Sequence, residues 1–184
     1  LMNSLESSRK LRRQVDKWRD NTEPGTPEEI RDLYYDVTGW LSSANPTAFG
    51  RDATHALLSK EGSPYVLLQM AYRLAGIESD IYLVKSQYEH PDSFPIGEFA
   101  KYRRVLMRAK GPDATHWIAP SGRDAMFGGV SLSLTGQPAV CVTCDDLVRK
   151  TVPDSGFREP SRDVSVKADL SEQGKLMGTA EVVV

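Results

Sequence analysis

Gly62-Ser63-Pro64, followed by a mostly apolar run over residues 65–75, is the feature that most limits what this chain can fold into. A serine at this place caps a helix by accepting a backbone N–H that has no partner in the first turn. Proline suits that turn because its missing N–H is not needed there. A helix that is apolar nearly all round has to be enclosed. Gly76 then ends it, since glycine adopts the left-handed cap conformation without a steric penalty. The pattern predicts a buried central helix over 64–75, with the rest of the chain packed around it.

The flanks follow the same logic. Leu11, Val15 and Trp18 recur at helical spacing within residues 5–19, among Arg9-Lys10 and Arg12-Arg13. Thr26, Pro27 and Glu29 form a helix-start signal, with Ile30, Leu33, Tyr34, Val37 and Leu41 as its apolar stripe. A short helix is expected over 52–58. After Gly76 the period changes. Residues 81–84, 103–109, 115–119 and 138–143 read as strands, and 87–100 as a long loop. Helices first and strands afterwards imply an α+β domain over residues 1–148. Lys150 to Arg162, with Pro153, Gly156 and Pro160, reads as a linker, placed at 149–162. Residues 163–184 alternate around Glu172-Gln173-Gly174, as a hairpin opening a truncated β-domain would.

Composition excludes some functions. A net charge of -2 gives no general attraction to nucleic acid. No apolar run approaches the ~20 residues that span a bilayer as a helix. Leu1-Met2-Asn3-Ser4 has no apolar signal core, and the chain reads as a piece of a longer protein.

Leu67 to Ile77 resembles the central helix of the bacterial transglutaminase-like superfamily, whose pattern there is G-D-C-x-D-x-A-x-L-L-x-A-L-L-R-A-x-G-I. Tyr82-Leu83-Val84 is similar to the strand that follows. Arg103-Arg104-Val105-Leu106-Met107 stands where the family has N-H-V-x-V, and His116-Trp117-Ile118-Ala119-Pro120-Ser121 where it has Y-W-L-D-P-T. Gly129 to Leu132 and Gly136 to Val142 resemble its closing segment. The likeness covers about residues 52–143 and implies a papain-like fold: a central buried helix packed on an antiparallel sheet, preceded by N-terminal helices. It also implies neighbouring β-domains in the same chain and a bacterial cell-envelope or periplasmic setting.

The catalytic columns do not match. Such enzymes place a thiolate at a helix N-terminus, a histidine that takes its proton and a carboxylate that orients the histidine. The cysteine column holds Glu61, or Ser63 after a two-residue shift; the histidine column holds Arg104 and the aspartate column Ala119. Arginine stays protonated and cannot act as a base. The reading that follows is a degenerate, non-catalytic domain that binds a protein or peptide partner, with no cofactor and no metal. A Glu61–Arg104 salt bridge across the vestigial cleft is a further expectation. The alternative is a divergent serine hydrolase built from Ser63, His116 and Asp113.

The aromatic group Tyr65, Tyr72, Tyr82, Trp117 and Phe127 reads mostly as core. A third class rests on Cys141-Val142-Thr143-Cys144. C-x-x-C spacing suits zinc or redox chemistry, but no second ligand pair is evident. Positions three apart on a strand point to opposite faces, so Cys141 is expected buried and unreactive.

Overall fold

The computed structural model describes residues 9–20, 22–45, 52–85, 102, 104–121, 125–154, 163–171 and 176–183. The expected loop over 87–100, the linker beyond Asp154 and the turn at 172–174 lie outside them.

The N-terminal half is helical. α1 (Arg9–Arg19) buries Leu11 and Val15, one turn apart. α2 (Pro27–Trp40) starts as its sequence predicts: the Thr26 hydroxyl accepts the Glu29 N–H, and Pro27 occupies the first turn. Trp18 meets Trp40 edge to face, with centroids 5.7 Å apart. After β1 (Ser43–Ala44), α3 (Ala53–Ser59) is capped by the Asp52 carboxylate, which accepts the His55 N–H at 2.6 Å. β2 (Glu61–Gly62) pairs with β1 in parallel and leads into α4 (Pro64–Ala75).

α4 is the buried helix its composition predicts. Tyr65, Leu67, Leu68, Ala71 and Tyr72 are almost wholly enclosed. Gly76 ends it at φ 79°, and the Ile77 amide closes the last turn on the Tyr72 carbonyl at 2.8 Å. Its tyrosines reach outward to their neighbours. Tyr65 donates to the Val105 carbonyl at 2.5 Å, and Tyr72 to the Ile30 carbonyl at 2.8 Å. A buried hydroxyl needs such a partner, so these two bonds fix α4 against the sheet and against α2.

The sheet has five strands in the order β5-β4-β3-β6-β7, all neighbours antiparallel. They are β3 (Ser79–Val84), β4 (Arg104–Lys110), β5 (Thr115–Ile118), β6 (Pro138–Cys141) and β7 (Arg149–Thr151). Among the described residues, four helices and this sheet make an α+β architecture. One face, carrying Ile81, Val105, Met107, Ala109 and Ile118, shares a core with the helices. The other carries Tyr82, Val84, Leu106 and Trp117 and is covered by Val130, Leu134 and Val152. Tyr82, Leu106 and Trp117 belong to the sheet behind α4 but lie on its far face, because side chains alternate along each strand.

Two segments at the C-terminal side differ from their sequence reading or match it. Arg149–Thr151, read as the head of a linker, is the edge strand β7, and Val152 behind it is 1% exposed. Its three residues are all exposed, so no apolar alternation betrays it. The hairpin is present: β8 (Asp163–Leu170) pairs antiparallel with β9 (Leu176–Val183). No helix among the described residues is long and apolar enough to cross a membrane.

The burial of Tyr34, Tyr65 and Tyr72 has a pH consequence. Desolvation, reinforced by a neighbouring tyrosine in each case, pushes all three phenols up from their ordinary value. A raised phenol keeps its proton in the fold and loses it near pH ~10 when unfolded. Their stabilisation is therefore complete below pH ~10 and declines as pH climbs toward the raised values. Urea midpoints should fall steeply above pH ~10, with phenolate absorbance from these three arriving only as the protein unfolds. Ionisation of all seven tyrosines in one step, with the fold intact, would contradict this.

Candidate functional site

The head of α4 faces a cavity of about 390 Å³. Its wall includes Tyr65 from α4, Arg104 and Val105 from β4, Ala119 and Ser121 beyond β5, and Ser133 from a short turn of helix at Leu132–Leu134. The strand register explains the assembly. Tyr65 is tied to Val105, the residue after Arg104, and β5 runs antiparallel beside β4 so that its exit, Ile118, lies opposite Met107. Ala119 follows directly. The segment 125–134 closes the far side, anchored by the Tyr34 hydroxyl donating to the Ala125 carbonyl at 3.0 Å. Arg104 and Ala119, one on β4 and one just past β5, therefore both line the cavity at the head of α4.

The side chains at those positions supply no proton acceptor of the kind acyl transfer uses. Ala119 has no functional group. Arg104 is exposed at the cavity rim and is a permanent cation. Ser63 is the residue at the cap of α4 and is 1% exposed. Glu61 lies before the helix, in the β2 bridge to Ser43, with its side chain in solvent. Of the two alignments of the cysteine column, the Ser63 one falls at the helix N-terminus.

The expected Glu61–Arg104 salt bridge is not formed; no ion pair joins them among the described residues. Both side chains are exposed, and a solvated pair gains too little to hold two long side chains in one geometry.

Ser63, His116 and Asp113 are not brought together either. His116 stands opposite Ala109, four residues along β4 from Val105, or roughly 13 Å at about 3.3 Å per residue. Its ring packs on Phe127 at 5.3 Å. Asp113 is exposed in the turn between β4 and β5. The α4 head and His116 thus sit toward opposite ends of the same strand.

Arg104 and Ala119 carry a signal in the sequence; Ser131, Ser133 and Met126, which complete the cavity, do not. Those come from irregular segments that carry no periodic signal. A second cavity of about 350 Å³ opens between α4 and the start of β3, lined by Gln69, Arg73, Ser79 and Thr143 among others.

Cys141 and Cys144 form a disulfide, which the strand argument did not foresee. β6 stops at Cys141, and the chain bends over 142–146, so the alternation of a strand no longer applies.

No protein-family model matches the chain, and no curated protein does. Among solved structures, a "putative protease" from Parabacteroides distasonis has a similar fold, with a TM-score of 0.56 at 16% identity. The alignment covers 78% of this chain and 27% of the other, so the likeness is to one portion of a longer molecule.

Proposed function

We propose that this chain is a transglutaminase-like domain of papain type that no longer catalyses, and that it serves a larger bacterial protein as an interaction module. Its cavity receives an extended segment of a protein partner. The observation that carries the reading is the cavity at the head of α4: its wall carries Arg104 and Ala119, which the resemblance aligns with the superfamily's histidine and aspartate, and neither can do that chemistry. The space persists although the nucleophile and base do not, and a retained cleft is suited to binding. The fold shared with part of the Parabacteroides protein supports the papain-type assignment.

The test uses peptides. A random library displayed on phage is selected against the immobilised chain, and each enriched peptide is then incubated with the chain and an amine donor. Binding is expected to drop at least tenfold on Arg104→Glu and on Ser133→Trp, which fills the cavity, and to be unchanged by Lys150→Glu on β7. Mass spectrometry is expected to return every peptide unmodified. Cleaved or amine-exchanged products that vanish with thiol blockers would overturn the loss of catalysis, and binding indifferent to both cavity variants would overturn the site.

A further inference from the structure

We propose that Cys141 and Cys144, once reduced, bind a zinc ion together with Asp80. The three come from two adjacent strands. Tyr82 of β3 pairs with Cys141 of β6, and Asp80 lies two residues back on the same face of β3, diagonal to Cys141. The Asp80 carboxylate and both sulfurs lie within 4.8 Å of one another. Around a tetrahedral zinc with Zn–S of ~2.3 Å and Zn–O of ~2.1 Å, such ligand atoms sit about 3.6–3.8 Å apart. Small side-chain rotations connect the two arrangements.

The surroundings suit the ligands. The Cys144 amide points at the Cys141 sulfur, at 3.1 Å. A donor aimed at sulfur favours the thiolate, which is the metal-binding form. The Arg108 guanidinium donates a hydrogen bond to the Asp80 carboxylate, as a supporting group of a metal-bound carboxylate can. Three anionic ligands would be balanced by the dication and Arg108. The fourth coordination position is left to water or an exogenous ligand.

The disulfide makes binding conditional on a reductant, here a dithiol. Its thiolate attacks one sulfur, the S–S bond breaks, and the electron pair leaves on the other sulfur. The reductant's second thiol then displaces the first cysteine and closes a cyclic disulfide. Two electrons have moved to the protein, and both cysteines carry protons. Zinc displaces those protons, so its affinity weakens as pH falls. The cross-link encloses only Val142 and Thr143, a loop whose closure restricts the unfolded chain little, so the reduced protein is expected to stay folded.

The whole chain is reduced with dithiothreitol, freed of it by gel filtration without air, and dialysed against zinc. One equivalent of zinc beyond that on the oxidised chain is expected, with near-ultraviolet circular dichroism unchanged. Cadmium should produce sulfur-to-metal charge-transfer absorption. Cys144→Ser should abolish both signals, and Asp80→Asn should weaken zinc by ~10-fold or more. Equal zinc on the reduced and oxidised chains would overturn the proposal. So would collapse of the fold on reduction, because the site needs β3 and β6 in register, and so would an Asp80→Asn variant that binds like the parent.

Discussion

Replacing Leu68 by alanine is expected to destabilise the domain by about 2–5 kcal/mol, because the lost methyl groups leave a cavity in a close-packed core. Leu68 is fully enclosed in the cluster that joins α4 to Ile30 and Leu33 of α2 and to Ile81 and Met107 of the sheet. Tyr65 and Tyr72 hold α4 at two points, to Val105 and to Ile30, so the helix cannot slide to refill the space. That restraint argues for the upper half of the range. Urea unfolding followed by tryptophan fluorescence gives the number, and an unchanged denaturant slope would show that the native state alone was altered. Leu58→Ala is the control: its side chain is 58% exposed, and a change within about 0.5 kcal/mol is expected. If the two variants cost the same, Leu68 does not sit in the core described here.

The elements that sequence made legible are those whose signals are local. Pro64 and Gly76 bracket α4, with Ser63 at the cap position although its hydroxyl does not make the expected capping bond, and Thr26 with Pro27 opens α2, because such signals act within one turn. The strand ladders are legible too, but their faces are not. Residues 81–84 are apolar on both sides because the sheet is buried on both sides, and a continuous apolar run does not say which side meets the helix. β7 was missed for the opposite reason, having no apolar residue at all.

At the cavity, Arg104 and Ala119 were placed by their fixed separation within one pair of strands. The partners of Cys141 were not, since Asp80 lies on another strand and Cys144 beyond a bend. For the cysteine column the sequence leaves Glu61 and Ser63 both open, two residues apart. The cap of α4 falls at Ser63, as its sequence signals, and Glu61 lies before it.

Arg19→Ala is expected to cost about 3–5 kcal/mol, more than a cation near the surface ordinarily contributes. The reason is Glu29. The sequence marks it as the third residue after a threonine cap, where a glutamate usually turns back to the cap amide. Here its carboxylate goes further. One oxygen accepts the Gly25 N–H at 2.7 Å, and the other accepts from Arg19 Nε of α1 at 2.5 Å. The Glu29 side chain is 0% exposed, whereas that of Arg19 is 24% exposed. Removing the arginine therefore strands a buried anion whose solvation has already been given up, and that loss exceeds the attraction of the pair itself. The double variant Arg19→Ala with Glu29→Gln removes the stranded charge and should recover part of the loss. Glu29→Gln alone should fall between the parent and Arg19→Ala, since its amide still accepts a hydrogen bond. A fully additive double variant would show that α1 and α2 are not coupled through this pair. An Arg19→Ala cost below about 1 kcal/mol, the level of an exposed ion pair, would show that Glu29 is solvated in solution.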